Sequence, residues 1–555
     1  MLLVGVFLLW PLIWILAISF TRWNGYGPIS FDGLSTWTSL FADPGFQSAL
    51  EHSLIWLGLT ATVPVAAGFV MAVAMQRGGI IGPVARAIAV VPLLLPPAVA
   101  ATTWLIAFNP NYGPLNASLR LIGLGTLQPD WLGDPRLAFW SVFAVALWSS
   151  AGLSMLIFSA ALRSIDASYF DLARAEGAGP WQTLRSLIVP ACRRASGLAV
   201  IVTVVLTSQV FDLLYVLTNG GPGGATLMLP LDMYLRAFTG LTNVSQGVAD
   251  AALQVVLGVA LAIGALALTV THPSLAGEGD YRRPTATPSG TGISALAGLL
   301  VALPLVWTLT AAFTSGRAAI LQPLSISWPP SGSAFVTAWN AGIGSGLGQS
   351  LLIALVVVGL TLLLALPAAF QLQGPGVARA LRGVLLVLLL ITLVQPGEAY
   401  LIPLFYLVQQ LNLGDSLAGL VIIEVARVLP FAVLLLWIFM RSLSADLLAS
   451  VRLEAGWGAR ALLRVVAPLA APAAAATALW VFVSSWSEFT LPTLLLSNPG
   501  TAPVALRYFA GTHDTEFNLL AAGTLLVIAP VVLALVLAYG PAARGLRAVG
   551  RSMIT

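Results

Sequence analysis

Ile165 to Pro190 reads IDASYFDLARAEGAGPWQTLRSLIVP. The stretch is polar, carries Asp166, Asp171, Arg174, Glu176 and Arg185, and lies between two apolar runs that are each long enough to cross a bilayer. Moving 278 residues along the chain gives Leu443 to Pro468, LSADLLASVRLEAGWGARALLRVVAP, again between two membrane-length runs. The alignment needs no gap: Arg174 falls on Arg452, Glu176 on Glu454 and Pro190 on Pro468. The chain reads as a tandem duplication.

Composition sets the solvent. With 58% hydrophobic and 8% charged residues, the chain departs from soluble proteins, which carry about 25% charged residues, and reads as an integral membrane protein. Every basic residue in the Lys+Arg total is Arg. The absence of Lys excludes a P-loop lysine and a Schiff-base lysine together, so ATP hydrolysis belongs to a partner. Cys192 is the single cysteine, and His52, His272 and His513 lack metal-ligand spacing, so neither an intrachain disulfide nor a metal site is expected. Nothing in the charge pattern points to nucleic acid.

A membrane helix takes about 20 mostly apolar residues. The first half offers six candidates, at 2–20, 53–75, 84–108, 137–162, 196–217 and 249–271. No basic residue precedes the first, and it is too long for a signal-peptide core, so it is expected to be retained. The second half repeats the count at 293–313, 349–371, 384–406, 417–440, 472–495 and 519–539. Between the halves, 272–292 is rich in Pro, Gly, Ser and Thr with no apolar period and reads as a flexible connection.

Arginine alone tests the orientation, because cytoplasmic loops carry the positive excess. With both termini and both polar loops inside, eighteen arginines fall on the cytoplasmic side and six outside, and Arg427 lies within a helix. The count uses no family information and places both loops in the cytoplasm. Trp23, Trp37, Trp104 and Trp131, near the longer outer loops, are expected as interfacial anchors.

The two loops resemble the cytoplasmic EAA loop of ATP-binding-cassette (ABC) importer permeases. In the first copy Asp171-Leu172-Ala173 stands for the EAA, Ala175-Glu176-Gly177-Ala178 for the usual IDGA, and Pro190 closes the pattern. The second copy departs further, with Ala449-Ser450-Val451 in place of EAA and Ala455 where the Gly is expected, although Gly456 stands next to it; Glu454 and Pro468 remain. Further segments resemble sugar permeases of the maltose type. In the first half these include Phe108-Asn109-Pro110, Trp131-Leu132-Gly133-Asp134-Pro135 and the run from Phe211-Asp212 to Asn219-Gly220-Gly221-Pro222-Gly223-Gly224. In the second half they include Leu366-Pro367-Ala368-Ala369-Phe370 and Ser485-Trp486-Ser487-Glu488-Phe489-Thr490-Leu491-Pro492.

With the helix count, this resemblance implies an all-α integral membrane protein of twelve transmembrane helices, as two tandem six-helix permease modules of the type I ABC importer fold. The modules are 1–271, with its loop at 165–190, and 293–555, with its loop at 443–468, joined by the cytoplasmic linker 272–292. The implied role is import of a sugar or oligosaccharide across the bacterial cytoplasmic (inner) membrane, with both termini cytoplasmic. The implied partners are two ABC ATPase subunits, which use ATP and Mg, and an extracytoplasmic sugar-binding protein; this chain binds no cofactor itself. Short helices at about 168–175 and 446–453 are expected to seat on the ATPases, placing Asp171, Ala173, Glu176, Gly177, Pro190, Ala449, Glu454, Gly456 and Pro468 at the coupling contacts.

Intramembrane ionisable residues usually face a cavity or a partner. Asp212 and Glu488 lie near the outer ends of the expected fifth helix of each half, with Gln209, Trp480, Trp486 and Ser487 nearby in sequence. Polar groups beside an aromatic face suit a sugar, so these residues are candidates for the substrate path. Glu424 and Arg427, three apart on the expected tenth helix, share a face and read as a neutralising pair or as part of the path. The prolines at 92, 96, 97 and 396 are expected to kink their helices. Two alternatives remain. A fused ABC permease could carry iron, thiamine or polyamine, although the Thr218-Asn219-Gly220-Gly221-Pro222-Gly223-Gly224 run points to sugar. A proton-coupled secondary transporter would use Asp212, Glu424 or Glu488, but leaves the two matched loops unexplained.

Overall fold

The computed structural model describes residues 2–25, 27–208, 210–239, 243–270, 287–314, 324, 328–374, 377–394, 397–441, 443, 458–497, 500–512 and 516–552. The first half runs α1 Gly5–Ile18, α2 Pro44–Gln76, α3 Ile81–Leu94, α4 Pro97–Ala107, α5 Pro135–Arg163, α6 Ala167–Ala175, α7 Pro180–Ala191, α8 Arg193–Thr207, α9 Phe211–Leu217, α10 Leu229–Phe238 and α11 Val244–Val270. The second runs α12 Pro288–Ala312, α13 Ser333–Gln373, α14 Arg379–Thr392, α15 Gly397–Gln410, α16 Leu417–Arg441, α17 Ala459–Trp486, α18 Thr490–Leu495, α19 Ala502–Thr512 and α20 Phe517–Ser552. A two-residue antiparallel pairing of Thr21–Arg22 with Ser30–Phe31 makes the fold nearly, rather than wholly, helical. Among the described residues eight helices are long and apolar enough to cross a membrane, or up to eleven if each bent pair is one span.

Local sequence explains the helix starts. Asp43 accepts from the Phe46 N–H at 2.9 Å and Asp134 from the Arg136 N–H at 2.9 Å, each followed by Pro at the first helical position. Thr287 caps α12 in the same way, through the Gly290 N–H at 3.1 Å. These caps correct the span expected at 53–75, which begins nine residues earlier, at Pro44. Hydropathy locates the apolar part of a helix, whereas the cap locates its end.

Four other expected spans are broken, among them the one at 384–406, where α14 and α15 meet at 100°. The one at 84–108 bends by 107° between α3 and α4, where Leu95 takes extended angles before Pro96. The fifth span, expected at 196–217, divides into α8 and α9. Its counterpart at 472–495 divides after Trp486, and α18 begins at Thr490 with Pro492 in its first turn. A proline ring clashes with the carbonyl four residues back, so an unbroken helix through Glu488 is disfavoured.

The duplication is visible in local geometry. Leu184–Ile188 and Leu462–Val466, at the 278-residue offset, are both π-helical turns, and Pro190 and Pro468 follow each at the same distance. Both prolines are exposed. Loss of a backbone donor beside a wide turn is a recognised cause of such bulges.

The halves interlock by exchanging their first helices. α1 packs against α15 and α16 of the second half, while α12 packs against α2, α3 and α4 of the first. Aromatic rings seal the join: Trp14 stacks on Tyr406 at 5.5 Å, Trp23 meets the same ring edge-on at 5.4 Å, and Tyr215 lies 5.9 Å from Phe489. The Trp148 indole N–H donates to the Val301 carbonyl at 3.0 Å. The tryptophans expected as interfacial anchors therefore need correcting. Trp23 is buried, and Trp37, Trp104 and Trp131 are half-buried against other rings, whereas Trp10, Trp140 and Trp339 stand exposed.

One ion-pair network fastens the end of the first half. Arg236 on α10 reaches Asp232 at 2.6 Å, Asp43 at 3.1 Å and Gln246 on α11 at 2.7 Å. The Arg236 guanidinium holds the Asp43 carboxyl below the usual carboxylate range. A carboxyl whose folded pKa is depressed stabilises the fold fully above its ordinary value, and that contribution is lost as pH falls through the lowered one. The protection of amides at the start of α2, taken as exchange relative to the intrinsic rate at each pH, should therefore be unchanged from pH 7 to 5 and should fall below about pH 4, with Asp43→Asn already less protected at pH 7.

Candidate functional site

Two regions hold the residues singled out in the sequence: the loop of α6 and α7, and a polar cluster where the halves meet.

In the loop, Asp166 caps α6 through the Ser168 N–H at 2.8 Å. The helix ends at the expected residue, and its turn is built on Gly177, whose φ of +73° disfavours other side chains. The Gly177 N–H donates to the Arg174 carbonyl at 3.0 Å and the Ala178 N–H to the Ala173 carbonyl at 2.9 Å, the paired bonds of a Schellman stop. Ala173 and Gly177 thus shape the turn that presents Glu176. Asp171 pairs with Arg174 at 3.2 Å on the exposed surface. No residue of α6 is buried, and Tyr169, Leu172 and Trp181 stand exposed. Of the second loop, Ala449, Glu454 and Gly456 lie outside the described residues.

The cluster is assembled from both halves. Asp212 on α9 accepts from the Thr490 hydroxyl on α18 at 2.6 Å. These positions are 278 residues apart, so equivalent points of the duplicated halves touch each other. Glu488 lies in the break between α17 and α18. Its Oε1 accepts from the Leu491 N–H at 3.0 Å, while its Oε2 accepts from Arg427 Nη1 at 2.7 Å. The non-helical backbone lets one carboxylate start α18 and hold the guanidinium together.

The expected pairing of Glu424 with Arg427 is corrected. Arg427 pairs with Glu488, and buried Glu424 accepts a hydrogen bond from the Ser485 hydroxyl. Both residues do share a face of α16, but that face meets the end of α17 and the break after it, where Ser485 and Glu488 sit three apart in the same rhythm. Glu398, on the first turn of α15, is a further buried carboxyl. Asp212, Glu398, Glu424 and Glu488 all lie within electrostatic reach of the Arg427 guanidinium. Phe431, one turn along α16 from Arg427, packs on Trp480 with ring centroids 4.1 Å apart.

Other candidates sit elsewhere. Trp486 is 1% exposed and donates to the Val527 carbonyl at 3.1 Å, which places it in the packing of α17 against α20 and away from any path surface. Ser487 is half-buried, its N–H bonded to the Val483 carbonyl at 3.0 Å. Gln209 lies outside the described residues. Sequence reasoning missed Glu398, Ser485 and Thr490. Glu398 follows the Pro396-Gly397 step already noted as a break, and Thr490 is the offset partner of Asp212, so both carried a readable signal.

The offset also shows that the cluster is one-sided. Glu424, Arg427, Ser485 and Glu488 correspond in the first half to Ala146, Ser149, Thr207 and Val210. Asp212 is the first half's ionisable contribution among the residues described in the cluster. A double-mutant cycle of Asp212→Ala and Thr490→Val should give a coupling of about 0.5–1.5 kcal/mol in detergent unfolding, the range for an intramolecular hydrogen bond.

Residues 64–277 match the family described as the inner membrane component of binding-protein-dependent transport systems. A probable ABC transporter permease protein of Pyrococcus horikoshii is 30% identical over 264 residues, which are 47% of this chain and 90% of that one. This chain belongs to the ABC transporter permeases. The xylose/arabinose import permease protein XacH of Haloferax volcanii is 30% identical over 226 residues, covering 40% of this permease and 70% of that one. The diacetylchitobiose uptake system permease protein NgcF of Streptomyces coelicolor is 29% identical over 277 residues, covering 47% and 77%. Less than half of this permease thus spans most of each relative, in keeping with a fusion of two permease units.

Proposed function

We propose that the chain is the complete translocation pathway of an ATP-driven sugar or oligosaccharide importer, two permease modules joined end to end. The modules are 1–271 and 288–555, and the cytoplasmic linker expected at 272–292 is shortened to 272–287 because α12 already begins at Pro288. Counting each bent pair as one span and adding the shorter apolar helix Gly5–Ile18 gives six plus six. Both termini and both EAA-like loops face the cytoplasm in this reading, which the arginine excess supports. A binding protein delivers the sugar from outside, and two ATPase subunits bind and hydrolyse ATP. The sugar cargo is supported by what XacH and NgcF are named for.

The observation that carries this reading is α6. A helix with exposed Tyr169 and Leu172 and no buried residue touches the bundle through half-buried Phe170 and turns its other face outward, on a loop ended by a glycine-built turn. Such a face is made to be covered by a partner. Closure of the ATPases presses on it, and because α7 and α8 meet at 64° beyond it, the motion passes along the fifth span to Asp212 and the cluster. There the Asp212–Thr490 contact parts or closes as the halves change their facing. Asp212, Glu488, Glu424, Arg427 and Trp480 line the path in this reading, with hydroxyl-matching polar groups beside an aromatic face.

Labelling tests the topology. The natural cysteine, Cys192, is buried, so Trp181→Cys should react with an impermeant maleimide only when the cytoplasmic face is open. Reaction from the outer face of intact cells would invert the orientation and sink the coupling role of this loop.

A further inference from the structure

Away from the central cluster, a cavity of about 90 Å³ lies in the first half, between α2, α8, α10 and α11. Its wall is mostly apolar, with Leu54, Leu57, Val204, Leu257 and Leu261. Leu54 is 51% exposed, so the wall reaches the surface that membrane lipid covers. Ser53 and Gln254 stand at one level of it, because both meet the same residue. The Leu229 N–H donates to the Ser53 hydroxyl at 2.9 Å, and Gln254 Nε2 donates to the Leu229 carbonyl at 3.1 Å.

Gln254 is buried, and the sense of its amide is fixed. Nε2 serves two acceptors, the Leu229 carbonyl and Asp250 Oδ1 at 3.1 Å, so a flipped amide would set oxygen against oxygen. Oε1 is left as a buried acceptor without a donor. The other side-chain donors of the wall are spent: the Trp56 indole N–H on the Thr207 carbonyl at 2.9 Å, and the Thr60 hydroxyl on the Trp56 carbonyl at 2.8 Å. A buried polar atom without a partner calls for a reason. A water at Oε1 finds polar partners at this end only and leaves the apolar remainder empty.

In the six-span count proposed above, on which this step rests, α2 and α11 are the second and sixth spans and run the same way. From the level of Ser53 and Gln254 the wall continues to Thr60 on α2 and to Leu261 on α11, about 10 Å along each helix. One end of the cavity is therefore polar and the rest apolar. Among the described residues no cationic side chain lines it, so a phosphate has nothing to hold it.

We infer that the cavity binds a neutral membrane lipid with a hydroxyl beside its acyl chains, in its simplest form a diacylglycerol. The lipid hydroxyl donates to Gln254 Oε1, and the Ser53 hydroxyl donates to a lipid oxygen. One acyl chain runs past Leu57 and Leu257 toward Val204 and Leu261. Burial of the chain supplies the drive and the hydroxyl supplies the selection. Val204 and Val210 lie on either side of the break in the fifth span, so the bound chain packs against the joint between α8 and α9.

The test uses the full chain in phosphatidylcholine nanodiscs and three photolabels with the same diazirine-bearing acyl chain: a diacylglycerol, a phosphatidylcholine, which has no donor, and a phosphatidylglycerol, whose hydroxyls lie behind a phosphate. Labelling of 53–60 and 254–261 is mapped by peptide mass spectrometry and normalised to the lipid-exposed stretch 351–364 of α13. The diacylglycerol should label the cavity at least about fivefold more than either phospholipid. Gln254→Met should remove that preference, and Leu257→Trp, which fills the apolar end, should remove the labelling by all three. Equal labelling by diacylglycerol and phosphatidylcholine, stronger labelling by phosphatidylglycerol, or an unchanged preference in folded Gln254→Met would each overturn the inference. If Gln254→Met fails to fold, the wild-type ranking of the three labels decides. None of these outcomes touches the importer reading, which depends on association with an ATPase.

Discussion

Arg427→Met is expected to lose transport and most of the folded protein recovered from membranes. The substitution keeps an unbranched stem but leaves the Glu488 Oε2 without its 2.7 Å partner and withdraws positive charge from four carboxyls. Breaking a fully buried pair from one side costs about 3–5 kcal/mol, and this partly buried pair should lose up to that amount. Against a total stability of roughly 5–15 kcal/mol that is a large fraction. Glu488→Gln in the same chain should restore part of the loss, since an amide still accepts from the Leu491 N–H and carries no charge. Size-exclusion melting curves of the two variants check this. An Arg427→Met protein that melts with the wild type would mean that the guanidinium is solvated and the cluster is not closed around it.

Gly152→Leu is the second large effect. Gly152 on α5 sits where a Cβ would come within 2.0 Å of the Ala89 carbonyl oxygen on α3, and the obstacle is backbone. A similar close approach joins α2 and α5, where a Cβ at Gly68 would meet Ser154 Cβ at 2.4 Å and the Met155 nitrogen at 2.6 Å. Small residues allow membrane helices to pack backbone to backbone, and lipid offers no hydrophobic drive to compensate for a lost fit. Neither neighbour can rotate out of the way, so the first module should fail to assemble. Gly58→Leu, on α2 with nothing near its Cβ position, should be tolerated in the same expression and melting assay.

What could be read from the sequence was mostly what a short rule governs. The duplication, the polar loop and its stop at Gly177 follow from spacing and from the few residues that take positive φ. Asp43-Pro44 and Asp134-Pro135 announced helix starts that hydropathy alone placed several residues late. Membrane period gave the apolar runs but not their continuity: the fifth span of each half is divided, and in the second half Pro492 is the local reason.

The cluster was legible as a set of residues and not as a set of pairs. A spacing of three puts Glu424 and Arg427 on one face, yet the partner helix decides which of them is matched to what. Glu488 was assigned to a helix end, and only the break at Ser487–Phe489 lets its two oxygens serve Leu491 and Arg427 at once. Tryptophans misled for a related reason. Trp23 and Trp486 look alike in sequence to Trp10 and Trp140, but the exchange of α1 between halves and the seat against α20 bury the first two.

The most direct test of the account is purification of the intact chain from its native membrane in mild detergent, scored for a co-purifying ATPase. A chain with Glu176→Arg and Glu454→Arg is run beside it. The account predicts that an ATPase comes down with the wild type and is lost or strongly reduced with the charge-reversed chain, while the melting temperatures of the two remain alike. Absence of any ATPase from the wild type across several mild detergents, or undiminished association with the reversed chain, would contradict the coupling role of the two loops.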